Sequence, residues 1–404
     1  MLLLRNGFFD LLSQDALIFQ SFRLKDVTFV VEIAWVVYSL FIFKGIKCKN
    51  TFYGLIWSIL LIIMFSCVIC YIIFDQPISL GFLAQRDIFS GYACFFSIST
   101  LLYKKKISKN ELYNILFYVG VIQLFFNTFG WLLYSLRDIN GFPGAVIATE
   151  RYGSARIWYS QYENIVLVIA ISINELLNRK DKIIRYFILI GWGIAYFAIM
   201  TKLRASSLAV LIALILTLVI SKKMSKMKLF VFCFFVIGMI IALNRIPLFQ
   251  DIVLTFFSGD SASANTLTIR HVARKYYLTK FMSSPIFGFG VPHSNWYPAF
   301  LAQGKDLGYY FSDNGIFAFM YLYGGVGIMW LLFLLKRYWQ RMNVYRRINN
   351  VLFVFWGLYQ LMMLPTGMFW MIGNYQLPFV AILALLSKYP SEKLDGTPSL
   401  RILS

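Results

Sequence analysis

The chain has 404 residues, 59% of them hydrophobic, 19% aromatic and only 14% charged, with a formal net charge of +20. A soluble domain carries about 25% charged residues, so an ordinary cytosolic protein, a disulfide-stapled secreted domain and a disordered chain are all excluded. What remains is a polytopic membrane protein. The positive charge would suit nucleic acid, but the Lys and Arg sit at the ends of apolar runs, where topology signals belong. No nucleic-acid partner is expected.

Taken in chain order, residues 1–26 read two ways. Met1–Leu4 and Phe8–Phe22 are apolar, but Asp10, Gln14 and Asp15 interrupt them, leaving either an interfacial helix or a poor extra span. A basic n-region and a small-residue cleavage site are both missing, which argues against a cleavable signal peptide. A helix needs about 20 apolar residues to cross the hydrocarbon core. Candidate spans are 27–43, 51–74, 88–103, 113–136, 157–177, 183–201, 205–221, 229–244, 314–335, 349–365 and 370–387.

The expected fold is therefore all-α: a transmembrane helical bundle of about 11–12 spans, forming a single integral-membrane domain over 1–404. Basic clusters at Lys44/Lys47/Lys49, Lys104–Lys106, Arg179/Lys180/Lys182, Lys222/Lys223/Lys226/Lys228 and Lys336/Arg337/Arg341 fall in alternate connections. The positive-inside rule makes those connections cytoplasmic.

Two connections on the opposite, outer side stand out. One is 137–156, and the other is the long extracytoplasmic loop 245–312. A connection of that length is usually functional or carries its own structure. Within it, IRHVARKYYLTKFM (269–282) has the spacing of an amphipathic helix at the membrane surface. SSPIFGFGVP (283–292) must be irregular, because Pro and Gly break helices and strands alike. The tail 389–404 reads as loosely structured.

Candidate chemistry is basic and external. Lys202 and Arg204 lie in a very short outer connection, TKLRAS, where a guanidinium must snorkel, pair or line a wet cavity. Arg270 and Arg274 stand one helical turn apart, so both can face the same way. Arginine's planar fork of donors suits phosphate oxygens, although basic residues also anchor to anionic headgroups.

Carboxylates are scarce on the outer side. Asp313, in FSDNGIF, could accept a proton from a sugar hydroxyl, but from spacing alone Asp313 and Asn314 more often cap a helix. Glu163 is the other candidate buried acid. His293, in GVPHSNWYP, has no Cys, Asp or Glu cluster around it, and no metal is expected. The five cysteines, Cys67 and Cys70 in a CxxC among them, read as small core residues and not as a zinc or redox site. Aromatics of the long loop (Tyr276, Tyr277, Trp296, Tyr309, Tyr310) suit sugar rings and membrane interfaces equally.

Four features in order carry a family likeness: TKLRASS (201–207), TIRHVARKYYLTKFMSSPIFGFG (268–290), SDNG (312–315) and YLYGGVGI (321–328). The pattern resembles the bacterial O-antigen ligase and Wzy-type O-antigen polymerase superfamily. That resemblance implies an inverting, metal-independent membrane glycosyltransferase with no cofactor. It would move glycan from an undecaprenyl-pyrophosphate carrier to an acceptor sugar at the outer leaflet of the bacterial inner membrane. Arg204 and Arg270 would hold the pyrophosphate leaving group, with Arg274 and Lys202 as helpers. Substrate contacts would come from His293, Asn314 and Glu163.

Ligases of this kind carry His-Asn where this chain has Asp313-Asn314. The Asp points to the polymerase branch, which builds surface polysaccharide (O-antigen of lipopolysaccharide, capsule or exopolysaccharide) from lipid-linked repeat units. Ligase-type transfer is the nearest alternative, and a flippase or transporter of lipid-linked oligosaccharide is the alternative of another class. Membrane lipid is an expected partner, and a chain-length regulator protein is left open.

Overall fold

A computed structural model describes residues 2–5, 7–19, 22–45, 50–137, 139, 146–151, 154–158, 162–179, 183–221, 264–367 and 376–389. The predicted span 229–244, the start of the span predicted at 370–387, part of the long loop and nearly all of the tail lie outside the described residues.

The chain is mostly helical. The main helices are α1 (Leu24–Phe41), α2 (Tyr53–Phe74), α3 (Ile78–Tyr103), α4 (Lys109–Arg137), α5 (Glu163–Asn178), α6 (Ile183–Ala195) and α7 (Arg204–Ile220). They continue with α8 (Ala264–Ser283), the short α9 (Tyr297–Ala302), α10 (Gly315–Arg347), α11 (Leu352–Met363) and α12 (Gln376–Leu386). A π turn, Tyr196–Met200, extends α6. Among the described residues, four segments are long and apolar enough to cross a membrane: Tyr53–Phe74, Lys109–Arg137, Ile183–Met200 and Gly315–Arg347.

Burial sorts the helices. Every residue of α5 from Glu163 to Leu177, and every residue of α12, is buried. A helix as apolar as α12 belongs inside, and the buried Glu163, Asn164, Asn174 and Glu175 of α5 are bonded there by Gln360, Gln123 and Tyr113. Around them, α2, α4 and α10 turn large apolar side chains outward, with Leu61 66%, Phe125 56% and Leu332 60% exposed. Exposed apolar faces of that extent fit lipid and not water.

Helix α10 runs to Arg347, twelve residues past the predicted 335, and three further departures from the sequence reading have a physical reason. Helix α3 begins ten residues before the predicted 88, at Ile78. Its first turns carry Gln85, Arg86 and Asp87, which lower the hydropathy but are satisfied inside the protein. Gln85 bonds Ser66 and receives the Tyr323 hydroxyl, and Arg86 pairs with Asp26. The span predicted at 157–177 begins at Glu163 instead, because Ile157 and Trp158 finish a strand. That strand, β4 (Ser154–Trp158), pairs antiparallel with β3 (Val146–Arg151). Among the described residues of 1–26 there is neither a span nor one interfacial helix. They make two single helical turns (Leu2–Arg5 and Gly7–Asp10) and a small hairpin, and α1 begins at Leu24.

Helix α10 is broken within its predicted span. Gly324 has φ 61° and ψ −158°, about 14 Å along the helix from its start. A break leaves carbonyls of one half and amides of the other without helical partners, which is tolerated at membrane depth only where protein supplies them. The irregular stretch after α8 does so. Phe289 and Gly290 donate their N–H groups to the carbonyls of Tyr321 and Leu322, at 2.8 and 3.0 Å. Gly325 and Val326 donate to the carbonyls of Pro285 and Ile286, at 2.7 and 3.1 Å. The two glycine-rich stretches of the sequence are therefore the two sides of one main-chain joint. Gly288, at φ 68°, lies so close that an added Cβ would sit 2.5 Å from the Tyr321 carbonyl oxygen.

The ends of the helices differ in character. At the C-terminal end of α10, side chains satisfy the last carbonyls of α12: Lys109 donates to Ser387, Tyr345 to Leu385 and Arg341 to Leu386, each at 2.8 Å. Cations there match the negative end of the helix dipole. The candidate residues gather at the opposite end of α10.

Candidate functional site

Helix α8 covers the predicted amphipathic stretch and extends it at both ends. Its register places Arg270 and Arg274 against the start of α10. Arg270 Nη2 lies 3.3 Å from Asp313 Oδ2, with the two side chains 31% and 44% exposed. Arg274 Nη2 donates to the Pro365 carbonyl at 3.0 Å, just past the end of α11, and its guanidinium lies over the Phe317 ring. Burial and then the neighbouring Arg270 charge pull the Arg274 pKa below its ordinary value. A guanidinium starts so high that it keeps its proton at neutral pH.

The SDNG motif is now legible residue by residue. Asp313 ends a 3-10 turn, Phe311–Asp313, and turns its carboxylate to Arg270. Asn314 is at the N-cap position of α10 yet makes no capping side-chain bond. Instead its Nδ2 donates back to the Tyr310 carbonyl at 2.8 Å, and its Oδ1 is buried without a partner. Capping, the more frequent use of such a pair, is therefore not what either side chain does here. Gly315 has φ 43°, and a Cβ there would collide with the Leu364 carbonyl. The same carbonyl accepts the Ile316 N–H at 2.8 Å.

The last turn of α11 is thus the meeting point. Leu364 holds the start of α10, Pro365 holds Arg274, and Met363 receives the first turn of α7, where Ser206 Oγ lies 3.9 Å from Met363 Sδ. Arg204 opens that same turn and is half-buried. Lys202, two residues earlier, is buried with φ 49° in the tight link between the π turn and α7.

Two predicted residues go elsewhere. Glu163 is buried between α5 and α11 and accepts a hydrogen bond from Gln360 Nε2 at 3.1 Å, with the Tyr359 hydroxyl at 3.5 Å. It lies about one helical turn deeper than the arginines, judged along α11. His293 is tied to the end of α2: its N–H donates to Gln76 Oε1 at 2.7 Å, while its Nδ1 accepts from the Asn295 N–H at 3.0 Å. Burial holds the His293 pKa below its ordinary value, so it adds no positive charge at neutral pH. Cys67, Cys70 and Cys94 are buried.

The sequence reading did not single out the end of α11. The available signal was the LPTG run, 364–367, since a proline just past a helical pattern marks its stop. Beside this turn an apolar cavity of about 490 Å³ runs between α10, α11 and α12. Leu364, Leu361 and Gln360 border it towards the arginines, and Tyr338 and Trp339 border it towards the far end.

Compared with known proteins, the chain matches no family model and no curated protein.

Proposed function

We propose that this protein is a polymerase of surface polysaccharide repeat units, an inverting, metal-independent glycosyltransferase of the bacterial inner membrane. In this reading the chain is a bundle of about 11–12 spans, with Asp313 and the arginines facing the periplasm or cell exterior. The observation that carries the reading is that Arg270 pairs with Asp313 at the start of α10, while Arg274 and that same helix start are both held by main-chain carbonyls at the end of α11.

The chemistry follows from those groups. The acceptor hydroxyl oxygen attacks the anomeric carbon of the donor glycan and gives its proton to Asp313. The bond from that carbon to the pyrophosphate oxygen breaks on the opposite face, which inverts the configuration. The pyrophosphate leaves with the electron pair, and Arg270, Arg274 and Arg204 neutralise its developing charge, which is electrostatic stabilisation of the transition state. The apolar cavity beside Leu364 offers the isoprenoid tail a place.

A deletion strain tests the class. Loss of the surface-glycan ladder, with a single capped repeat unit retained, supports a polymerase. Polymer building up on the lipid carrier would indicate a ligase, and repeat units trapped on the cytoplasmic leaflet a flippase. An unchanged ladder overturns the reading. Arg270→Ala and Arg204→Ala are each expected to lower product by roughly 100- to 1000-fold while the protein still accumulates in membranes. Normal polymer from both removes the leaving-group assignment. Near-full activity in Asp313→Asn removes the base.

A further inference from the structure

The Arg270–Asp313 contact joins two groups to which the proposed reaction gives separate tasks. Arg270 is to hold an anion, and Asp313 is to take a proton. The carboxylate sits on the guanidinium itself, Oδ2 to Nη2 at 3.3 Å.

The surroundings are short of acceptors. Arg270 Nε and Arg274 Nε are both buried without a hydrogen-bond partner. Buried polar groups in native proteins are nearly always paired, and unpaired ones call for an explanation such as an absent ion. Asp313 is turned to Arg270, whereas a pyrophosphate presents enough oxygens for both arginines.

We propose that Asp313 is an internal anion that occupies Arg270 until the pyrophosphate of the donor displaces it. This rests on the reading of the site given above. The exchange links two steps. Donor binding takes Arg270 away from Asp313 and leaves the carboxylate free to accept the acceptor's proton, so the donor binds first and the base is engaged only when the leaving group is in place. Because both side chains are partly open to solvent, the pair is a weak one. Exposed pairs hold their partners by a factor of about 1.4 to 5, enough to occupy Arg270 at rest and little enough for a multiply charged ligand to displace.

The test uses the full chain in lipid nanodiscs, with farnesyl pyrophosphate as the probe and calorimetry as the readout. Wild type is expected to bind, and Arg270→Ala to bind at least about tenfold more weakly. Asp313→Asn is expected to bind about two- to fivefold more tightly than wild type, because the competing carboxylate is gone, while its glycan transfer falls. A gain in affinity cannot come from misfolding. The gain should vanish when Asp313→Asn is placed on the Arg270→Ala background.

Binding that ignores both Arg270→Ala and Arg274→Ala overturns the site reading itself. Binding that needs Arg270 but is unchanged or weakened in Asp313→Asn overturns the exchange and leaves the site reading standing. A gain that persists without Arg270 also overturns the exchange, since Asp313 would then act by repelling the ligand directly.

Discussion

Replacing Gly324 with alanine will cost the protein at least about 4 kcal/mol of stability. The residue sits at φ 61°, ψ −158°, a region open essentially to glycine alone, where another residue pays about 1–3 kcal/mol. A Cβ there would also strike the Ile286 carbonyl and come within 2.5 Å of the Gly288 nitrogen. Relief requires the 285–290 segment to lift away, which strands main-chain groups of both strands of the joint in apolar surroundings, at about 1–3 kcal/mol each. Thermal unfolding in detergent, with Gly54→Ala beside it, checks the result. Gly54 lies in α2 with nothing within 4 Å of the added Cβ, so its replacement should be neutral or stabilising by about 0.5–1 kcal/mol. Equal melting points for the two variants would show that the joint contributes nothing.

Arg5→Ala is expected to destabilise by about 3–5 kcal/mol, a large effect for a residue in the first helical turn of the chain. Arg5 is 3% exposed and Glu32 is fully buried. The guanidinium donates Nε to Glu32 Oε1 at 2.8 Å, and it reaches the Ser90 hydroxyl at 2.8 Å and the Asp87 carbonyl at 2.9 Å. Glu32 lies about 12 Å along α1 from its start, so the N-terminal stretch is fastened well inside the helices. Removing Arg5 leaves a buried carboxylate with no cation. Replacing both residues by apolar ones of similar volume, Arg5→Met with Glu32→Leu, should recover most of the loss, because a buried pair often does no better than a packed apolar substitute. If the double variant is as unstable as the single one, the pair is more than a mutual neutralisation of charge.

Much of the helical framework was readable because membrane-length apolar runs announce themselves. What escaped was polar and paired. The start of α3 was hidden by Gln85 and Arg86, whose partners Ser66, Tyr323 and Asp26 come from three other helices. The N-terminal stretch was ambiguous for the same reason, since Gln14 and Asp15 read as interruptions until Gln14 is seen bonding the Leu4 and Arg5 carbonyls and Asp15 pairing with Arg23 and Lys25. The strand at Ser154–Trp158 ran into the apolar start of the next span, and hydropathy has no sense of direction.

At the candidate site, residue types and helical spacing pointed to Arg270, Arg274 and Asp313 separately. No spacing rule brings Arg270 to Asp313, because the contact depends on how the loop between them folds back through Tyr276, Tyr277 and Tyr321. The hydroxyls of these three tyrosines hold the carbonyls of Ala302 and Gln303. Nor could the glycines of YLYGGVGI reveal a broken helix on their own, since glycine-rich helices also pack closely without breaking.

The joint between 285–290 and 321–326 also governs where the chain can change length. Its four hydrogen bonds fix the phase of one stretch against the other, so one residue inserted or deleted between Pro285 and Gly290 would misalign them all. Further along the same loop, Asp306, Leu307 and Gly308 are exposed, and the space around Gly308 is open. Insertions and deletions among the natural relatives of this chain should therefore accumulate around 306–308 and be missing from 285–290, a pattern that a set of aligned sequences would show without any biochemistry.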